Sequence, residues 1–580
     1  MENIDEDTNS EMQLSTSKSS DKSNEDSLVS IKSKIKIFLV HHWRGVICLI
    51  IPLILLPIHF TIPTEKHQWC AYTLVLMALF WVTECIPLAI TSILPIIIFP
   101  LSGIMSTSLT CKCYMNDTIV MFLGSMFLAY AVDQSGLHKR FALFAIKTIG
   151  YSHYRLLFAI SSITMFISMW ITNTAATTMM IPINFAILQV FEDQNIIKIY
   201  DVGPDGENVA SDITTCYFCA CTFSATIGGI GTLVGTATNL VFKGLFNKMY
   251  PEAPEYLSFP NFSAFSIPLM LVLELLMYLN MLIAYFGFLR PHSEASKRSK
   301  ITPEGVEAAK RAVNEEWKKL GSLTFWELMV ILLFSFAIAL FFSRSPQIFP
   351  GWGNKIAETF NLTDHKFVRD SSAVMLVSFL MLLLPSTLEF IKYFNPRETS
   401  NLPTGPIRSV LDWKLMNEVM PYSFMFLLGG GFALSEAAKK DYTNLNEKIG
   451  MILKNLKYMP NILIILLLII FTIFVTNFAA NVAVCNVVAP IAMQLAKEID
   501  VNPLWYNIAV GYSASFCFLL PVGTPGNLVV QSAANIPTLK MVKAGIGPTL
   551  TTIIITWIFV CFVAPILWPD VLTLPSWSIS

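Results

Sequence analysis

Two long stretches without any charged residue dominate the pattern of apolar and polar positions. Residues 156–190 and residues 458–496 contain no Asp, Glu, Lys, Arg or His, and each exceeds the roughly 20 residues that cross a bilayer as one helix. Small polar residues interrupt the first stretch at 172–175 and the second at 480–483, and in both a proline stands nine positions after the asparagine. Non-helical backbone at membrane depth is tolerated only inside protein or beside a wet cavity. Each stretch is therefore predicted to form a re-entrant hairpin of two half-length helices, with a site at its tip.

The other apolar runs predict full transmembrane helices. With about 11 such helices and the two hairpins, the predicted fold class is an all-α polytopic membrane protein. Lys32, Lys34 and Lys36 precede the first run and place the N-terminus in the cytoplasm by the positive-inside bias, so an odd number of spans places the C-terminus outside. The link at residues 438–457 disagrees, because it would be exterior and yet carries five lysines. The predicted spans are residues 37–58, 70–87, 88–104, 118–135, 213–248, 264–289, 324–342, 371–393, 421–437, 505–536 and 545–567.

The two halves of the chain repeat one plan. Residues 235–241 and 523–529 read GTATNLV and GTPGNLV, with five of seven positions identical, and each interrupts a span that follows its hairpin. Because the first hairpin enters from inside and the second from outside, the halves are predicted to be inverted repeats, whose substrate site lies near the midplane between broken helices. The predicted domains are a disordered cytoplasmic tail at 1–35, a first repeat at 36–290, a cytoplasmic basic linker at 291–323, a second repeat at 324–568 and a short extracellular C-terminus at 569–580.

Composition supports a membrane protein and excludes several other classes. The 580 residues are 54% hydrophobic and 14% charged, whereas a soluble domain carries about 25% charged residues. A net charge of -1, with no basic stripe interleaved with aromatics, gives no case for nucleic acid. The central apolar runs hold no acidic pair and the chain has no His-Glu-x-x-His motif, so an enzyme is not expected. The C-x-x-C pair Cys216 and Cys219 lies on an apolar helix and is interpreted as structural, while a disulfide among the predicted exterior cysteines stays open.

The proposed tips suit an anion together with cations. Half-helix N-termini attract anions and unwound carbonyls bind sodium. Asn173 and Asn481 each offer an amide donor for a carboxylate and an oxygen for a cation. The hairpins contain no charged side chain, and even one charge at the bilayer centre costs at least about 2.5 kcal/mol. A multiply charged anion would therefore need co-bound cations, which favours coupling to sodium.

At these motifs the chain resembles the divalent anion/sodium symporter family, which includes animal sodium-dicarboxylate and citrate transporters and the insect "I'm not dead yet" type. The resemblance implies a dimer in which an elevator-type transport domain moves against a scaffold domain. It implies no cofactor apart from co-transported sodium ions. It also implies that the protein lies in the lipid bilayer of the plasma membrane. The matching stretches are residues 81–87, 136–140, 169–175, 480–490 and the two Gly-Thr-x-x-Asn breaks.

The same resemblance assigns individual residues. Ala480 lacks the hydroxyl of the family's Ser-Asn-Thr motif and Asn477 stands where relatives tend to be acidic, so sodium-independent carboxylate exchange is an alternative. Sodium-sulfate cotransport on the same fold and an anion channel are the others. The implied substrate ligands are Asn173, Thr174, Asn481, Val482, Thr524 and Pro525. The implied sodium ligands are Ser168, Thr172, Asn173, Gly231, Thr232 and Gly235 at a first site, and Thr476, Asn481 and Gly523 at a second.

Overall fold

The computed structural model is mostly helical over the residues that it describes. It describes residues 31–57, 65–194, 196–203, 206–289, 303–362, 366–394, 405–453 and 458–578. Most of the predicted tail and the first residues of the basic linker lie outside the described residues. The helices are α1 Ile31–Leu55, α2 Lys66–Thr83, α3 Leu88–Thr91, α4 Leu94–Leu101, α5 Thr107–Lys112, α6 Asp117–Ser135, α7 Leu137–Ile149, α8 His153–Ser168, α9 Asn173–Asp193, α10 Asp212–Gly229, α11 Ala237–Met249, α12 Phe259–Tyr285, α13 Pro303–Leu320, α14 Phe325–Arg344, α15 Trp352–Thr359, α16 Asp370–Leu383, α17 Trp413–Val419, α18 Ser423–Ala437, α19 Leu445–Leu453, α20 Asn461–Thr476, α21 Asn481–Glu498, α22 Pro503–Ser513, α23 Pro525–Ala534, α24 Thr538–Ile558 and α25 Ala564–Leu567.

Within the described residues, six helical segments are long and apolar enough to cross a membrane, and shorter apolar helices add to them. This confirms a multi-pass helical membrane protein, while the count of eleven spans stays a prediction. The six segments are Lys36–Leu55, Thr107–Ser135, Asn173–Asp193, Phe259–Tyr285, Phe325–Arg344 and Thr538–Leu567.

Both uncharged stretches fold as two helices joined by a tight turn. In the first, α8 ends at Ser168 and α9 begins at Asn173; in the second, α20 ends at Thr476 and α21 begins at Asn481. The turns therefore precede the predicted positions, and each asparagine is the first residue of a helix rather than the centre of a loop. An asparagine at that position keeps its side chain beside the free N–H groups of the helix end.

The two broken helices supply the centre of the molecule. The first consists of α10 and α11 with residues 230–236 between them, and the second of α22 and α23 with residues 514–524 between them. Every residue from Thr214 to Gly229 in α10 is buried, and so is every residue of α22. A helix that is buried on all sides belongs to a core, so one broken helix from each half forms the centre.

Three local predictions need correction. The loop before α10 contains an antiparallel strand pair, β1 Tyr200–Val202 with β2 Asn208–Ala210, which the all-α class did not foresee; Gly206 between the strands has a positive φ of 77° and permits the turn. The basic linker contains helix α13, whose buried Gly305, Ala309 and Val313 repeat at helical spacing.

The third correction concerns the predicted span 371–393, which is shorter in the structure. Its helix α16 ends at Leu383, and Leu384 is extended with ψ 142° because the proline that follows disfavours helical backbone. All eleven cysteines are free thiols, so the structure contains no disulfide among Cys70, Cys111 and Cys113.

Candidate functional site

The first tip is held by the hydroxyl of Ser168. Its Oγ lies 2.9 Å from the side-chain oxygen of Asn173 and 2.6 Å from the carbonyl oxygen of Ala225 in α10. The hydroxyl therefore joins the end of α8, the start of α9 and the first broken helix. Because Ser168 is fully buried and Asn173 is half-buried, the oxygens gather at the inner side of the tip.

The second tip repeats this arrangement. Thr476 Oγ1 lies 2.8 Å from the side-chain oxygen of Asn481 and 2.8 Å from the carbonyl oxygen of Ala514. The Asn481 amide nitrogen also lies 3.4 Å from the carbonyl oxygen of Ser515. In both halves a hydroxyl five residues before the asparagine links the tip to the neighbouring break, as the predicted repeat requires.

Two further asparagines donate hydrogen bonds across the helix breaks, one in each half. Asn239 donates its amide to the carbonyls of Gly229 and Thr232, at 2.9 and 2.7 Å. Asn527 donates to the carbonyls of Cys517 and Leu520, at 3.1 Å each. The acceptors stand ten and seven residues before the asparagine in both cases. This explains why the matched Gly-Thr-x-x-Asn motif ends in asparagine: its amide replaces the helical hydrogen bonds that the break removes.

Glycines bring backbone carbonyls close to each tip. A Cβ on Gly235 would lie 2.5 Å from the Gly229 oxygen and 2.9 Å from the Met169 oxygen, and a Cβ on Gly523 would lie 2.3 Å from the Thr476 oxygen. Only a residue without a Cβ permits such an approach. Carbonyl oxygens from unwound backbone therefore converge at both tips, which is the ligand type that sodium takes in broken-helix transporters.

The two halves meet at the site. Thr222 in α10 donates to the Asn527 side-chain oxygen at 2.9 Å, and a Cβ on Gly526 would lie 3.2 Å from the Thr177 hydroxyl in α9. The start of α23 thus lies against the first hairpin. The tip of one repeat and the break of the other are assembled by contacts between residues about 300 positions apart in the chain.

Three of the four helix N-termini at this place lack a side-chain cap. Thr172 caps α9 by accepting the Ala175 N–H at 3.3 Å, whereas Thr236, Ala480 and Thr524, at the starts of α11, α21 and α23, make no side-chain cap. Uncapped N–H groups and the positive end of a helix are features that attract anions.

Several predicted site residues have protein partners in the structure. The Thr172 hydroxyl serves as the cap just described, and the Thr232 hydroxyl donates to the Met169 carbonyl at 2.5 Å. A Cβ on Gly231 would meet Met270 and Met169 side chains, so this glycine faces sulfur-containing side chains. Val482 and Thr524 are 5% and 4% exposed, whereas Thr174 is half-buried and Pro525 is exposed.

Sequence reasoning missed the partners from the broken helices. Nothing in the sequence marks the Ala225 and Ala514 carbonyls, since any residue has one. Gly229 lies a few residues before the matched motif at 235–241, and its closeness to the tip, where a Cβ would lie 2.2 Å from the Asn173 side-chain oxygen, follows only from packing.

The two lysines of α11 are also paired. Lys243 lies 3.0 Å from Asp370 of α16, and Asp370 also pairs with the fully buried Arg344 of α14. Arg344 in turn pairs with Glu255, while Lys248 lies 3.6 Å from Glu436 of α18. These ion pairs tie the second half of the first broken helix to three helices of the second repeat, and Asp370 and Arg344 are buried.

Paired helix breaks that meet two polar hairpin tips, in a protein of many apolar helices, are the construction of a secondary transporter. The family profile described as "Sodium:sulfate symporter transmembrane region" matches residues 39–573. The chain therefore belongs to this family, the divalent anion/sodium symporters, as the motifs predicted, and it is a membrane transporter rather than an enzyme.

Curated relatives extend over almost the whole chain. The chain is 37% identical over 553 residues to "Protein I'm not dead yet" of Drosophila melanogaster, covering 93% of this chain and 92% of that protein. It is 32% identical over 537 residues to the "Na(+)/citrate cotransporter" of Rattus norvegicus, covering 86% and 91%. It is 31% identical over 547 residues to "Na(+)/dicarboxylate cotransporter 3" of Mus musculus, covering 87% and 89%.

Proposed function

We propose that this protein is a secondary active transporter of di- and tricarboxylates, such as succinate and citrate, across the plasma membrane, coupled to sodium. The observation that carries the proposal is the repeated pair Ser168–Asn173 and Thr476–Asn481, each pair binding a hairpin tip to the break beside it. Two relatives that cover most of the chain are named as cotransporters of sodium with citrate and with dicarboxylate, which supports the substrate class.

The anion would be held by donors and the sodium ions by oxygens. One carboxylate of the substrate would accept hydrogen bonds from the side-chain amide of Asn173 or Asn481. It would also accept from the uncapped N–H groups at the start of α21, at Val482, and at the start of α23, which begins at Pro525. The Thr174 hydroxyl would lie beside it. Sodium ions would sit behind the tips, among Ser168 and the Gly235 carbonyl cluster on one side and Thr476 and Gly523 on the other.

Coupling follows from electrostatics. The described residues of α8, α9, α20 and α21 near the tips offer amides and hydroxyls but no cationic side chain. Placing a charge at membrane depth costs at least about 2.5 kcal/mol per charge, so a dianion would enter readily only after cations had bound. The ions thereby set the order of binding, and their gradient drives the anion.

We infer the wider arrangement from the family and the repeat. The hairpins would be re-entrant from opposite faces in two inverted repeats within about 11 spans. The N-terminus would be cytoplasmic and the C-terminus extracellular. Two chains would form a homodimer through scaffold domains, while the hairpins and broken helices move together as an elevator.

An uptake panel tests the function. Cells that express the protein would take up labelled succinate and citrate in a saturable manner, faster with sodium than with choline, whereas labelled sulfate would not enter above background. Uptake of sulfate alone would remove the carboxylate assignment, and a current that rises without saturation as the anion concentration rises would indicate a channel.

One observation favours sodium-independent exchange as a second candidate. Both ends of the Asn477 amide are engaged, since its nitrogen donates to the Ile473 carbonyl at 2.7 Å and its oxygen accepts the Leu519 N–H at 2.9 Å. Asn477 is thus occupied with backbone where an acidic side chain would offer charge to a cation. If the second sodium site is lost for this reason, uptake in choline would equal uptake in sodium and would be stimulated by unlabelled citrate loaded inside.

A further inference from the structure

One ionisable side chain lies deep within an apolar span. Glu274 stands near the middle of α12, an apolar candidate span from Phe259 to Tyr285, and it is the sole Asp, Glu, Lys or Arg of that helix. Its side chain is 6% exposed. Ionisable residues at such depth are costly, so they usually mark a functional position rather than a packing position.

The contacts of Glu274 leave its carboxyl half satisfied. Ser224 of α10 donates to one carboxyl oxygen at 2.8 Å, and the other oxygen has no hydrogen-bond partner among the described residues. No described Lys, Arg or His forms an ion pair with it. A buried carboxylate requires several donors or a cation, and one hydroxyl is fewer than the charged form requires.

The neighbouring helices add no charge that would fix its state. On α10 the nearest ionisable group is the Cys221 thiol. On α12, the phenol of Tyr278 donates to the carbonyl of Tyr154. On α8, Tyr154 and the other ionisable residues, His153 and Arg155, all lie in the first turn of the helix. Residues 544–558 of α24, 328–343 of α14 and all of α25 contain no ionisable side chain.

Glu274 is connected to the first tip through α10. Ser224, its donor, is followed by Ala225, whose carbonyl lies 2.6 Å from the Ser168 hydroxyl, and that hydroxyl lies 2.9 Å from Asn173. One turn before Glu274, Met270 packs where a Cβ on Gly231 would be. A negative charge at Glu274 would therefore attract a cation at this tip, through a medium of low dielectric constant.

We propose that Glu274 is a proton-binding site whose charge state sets the affinity of the first tip for its cation. This inference rests on the cation coupling proposed above. As the carboxylate it strengthens cation binding; on taking a proton from water it becomes neutral and that attraction is lost. Acidification therefore weakens the binding of the cation, and it slows uptake when sodium is limiting.

Paired variants test the proposal by uptake. Sodium half-saturation of citrate uptake would be measured from about pH 5.5 to about pH 8.5, an interval in which a buried carboxyl titrates. In the unmodified protein the sodium concentration at half-saturation should rise about fivefold or more as the pH falls, a change typical of linked sites. Glu274→Gln should hold the high, acid value at every pH, and Glu358→Gln, an exposed carboxyl on α15, should follow the unmodified protein. Because substrate protonation is the same for all three, it cancels in the comparison.

A spectroscopic measurement decides the matter independently of transport. Infrared difference spectra of the purified full-length protein between alkaline and acid pH should contain the C=O band of a buried carboxylic acid. The band should be absent in Glu274→Gln and displaced in Glu274→Asp. The Asp variant provides the test if the Gln variant fails to fold. An unchanged pH profile in Glu274→Gln, or no such band, would overturn the proposal. If the unmodified protein took up no carboxylate, the proposed function would fall while the band still decided the proton site.

Discussion

Lys243 in the first broken helix and Asp370 in α16 form an ion pair with nitrogen and oxygen 3.0 Å apart, and their side chains are 13% and 5% exposed. Asp370 also pairs with Arg344, so a single carboxylate serves two cations. Asp370→Asn would leave both without their shared partner, and removing one member of a buried pair costs about 3 to 5 kcal/mol. We expect a clear fall in the melting temperature of the protein in detergent.

The matched control for this change is Asp117→Asn. Asp117 pairs with Arg369 at 3.1 Å, but both side chains are about 40% exposed, and exposed pairs contribute at most about 1 kcal/mol. The two melting curves should therefore differ. Equal shifts for the two variants would mean that burial does not determine the strength of the Lys243–Asp370 pair.

The asparagines at the tips should be indispensable for transport. Asn173→Ala or Asn481→Ala removes an amide that would bind the charged substrate, and a hydrogen bond to a charged group contributes about 1.5 to 3 kcal/mol, or roughly ten- to hundredfold in uptake. Surface biotinylation would verify normal expression. Asn417→Ala, at an exposed asparagine of α17, should transport normally, and near-normal uptake by either tip variant would refute the site.

Ala480→Ser examines the missing hydroxyl at the second tip. Thr172 caps the first hairpin's exit helix, whereas Ala480 makes no cap. A serine would restore a cap of about 1 kcal/mol, visible as a higher melting temperature. If the hydroxyl also completes a cation site, the sodium dependence of uptake would become steeper. A gain in stability with the same sodium dependence would confine the role of this position to capping.

Gly235 should tolerate no side chain. An alanine Cβ would lie 2.5 Å from the Gly229 oxygen and 2.9 Å from the Met169 oxygen, both backbone atoms that cannot rotate away. Overpacking of this kind costs about 1 to 3 kcal/mol, and it would displace the tip, so citrate uptake should fall sharply. At Gly405 a Cβ would meet no atom of the described residues within 4 Å, and Gly405→Ala should leave uptake unchanged.

The sequence by itself determined which segments are apolar helices and where they are broken. The uncharged runs and the matched Gly-Thr-x-x-Asn motifs located both hairpins and both breaks, because hydrophobicity and helix-breaking residues act within a few positions of the chain. The family followed from the same motifs. The resemblance also assigned Ser168 and Thr476 as sodium ligands, and each stands five residues before the asparagine of its tip.

Only the tertiary structure decided what these residues contact. The Ala225 and Ala514 carbonyls, the approach of Gly526 to Thr177 and the pairing of Lys243 with Asp370 join segments far apart in the chain. Such contacts depend on how helices pack, which no local pattern encodes. The same applies to Glu274: its place in an apolar span was readable, but its single donor and its connection to the first tip were fixed by the packing of α12 on α10.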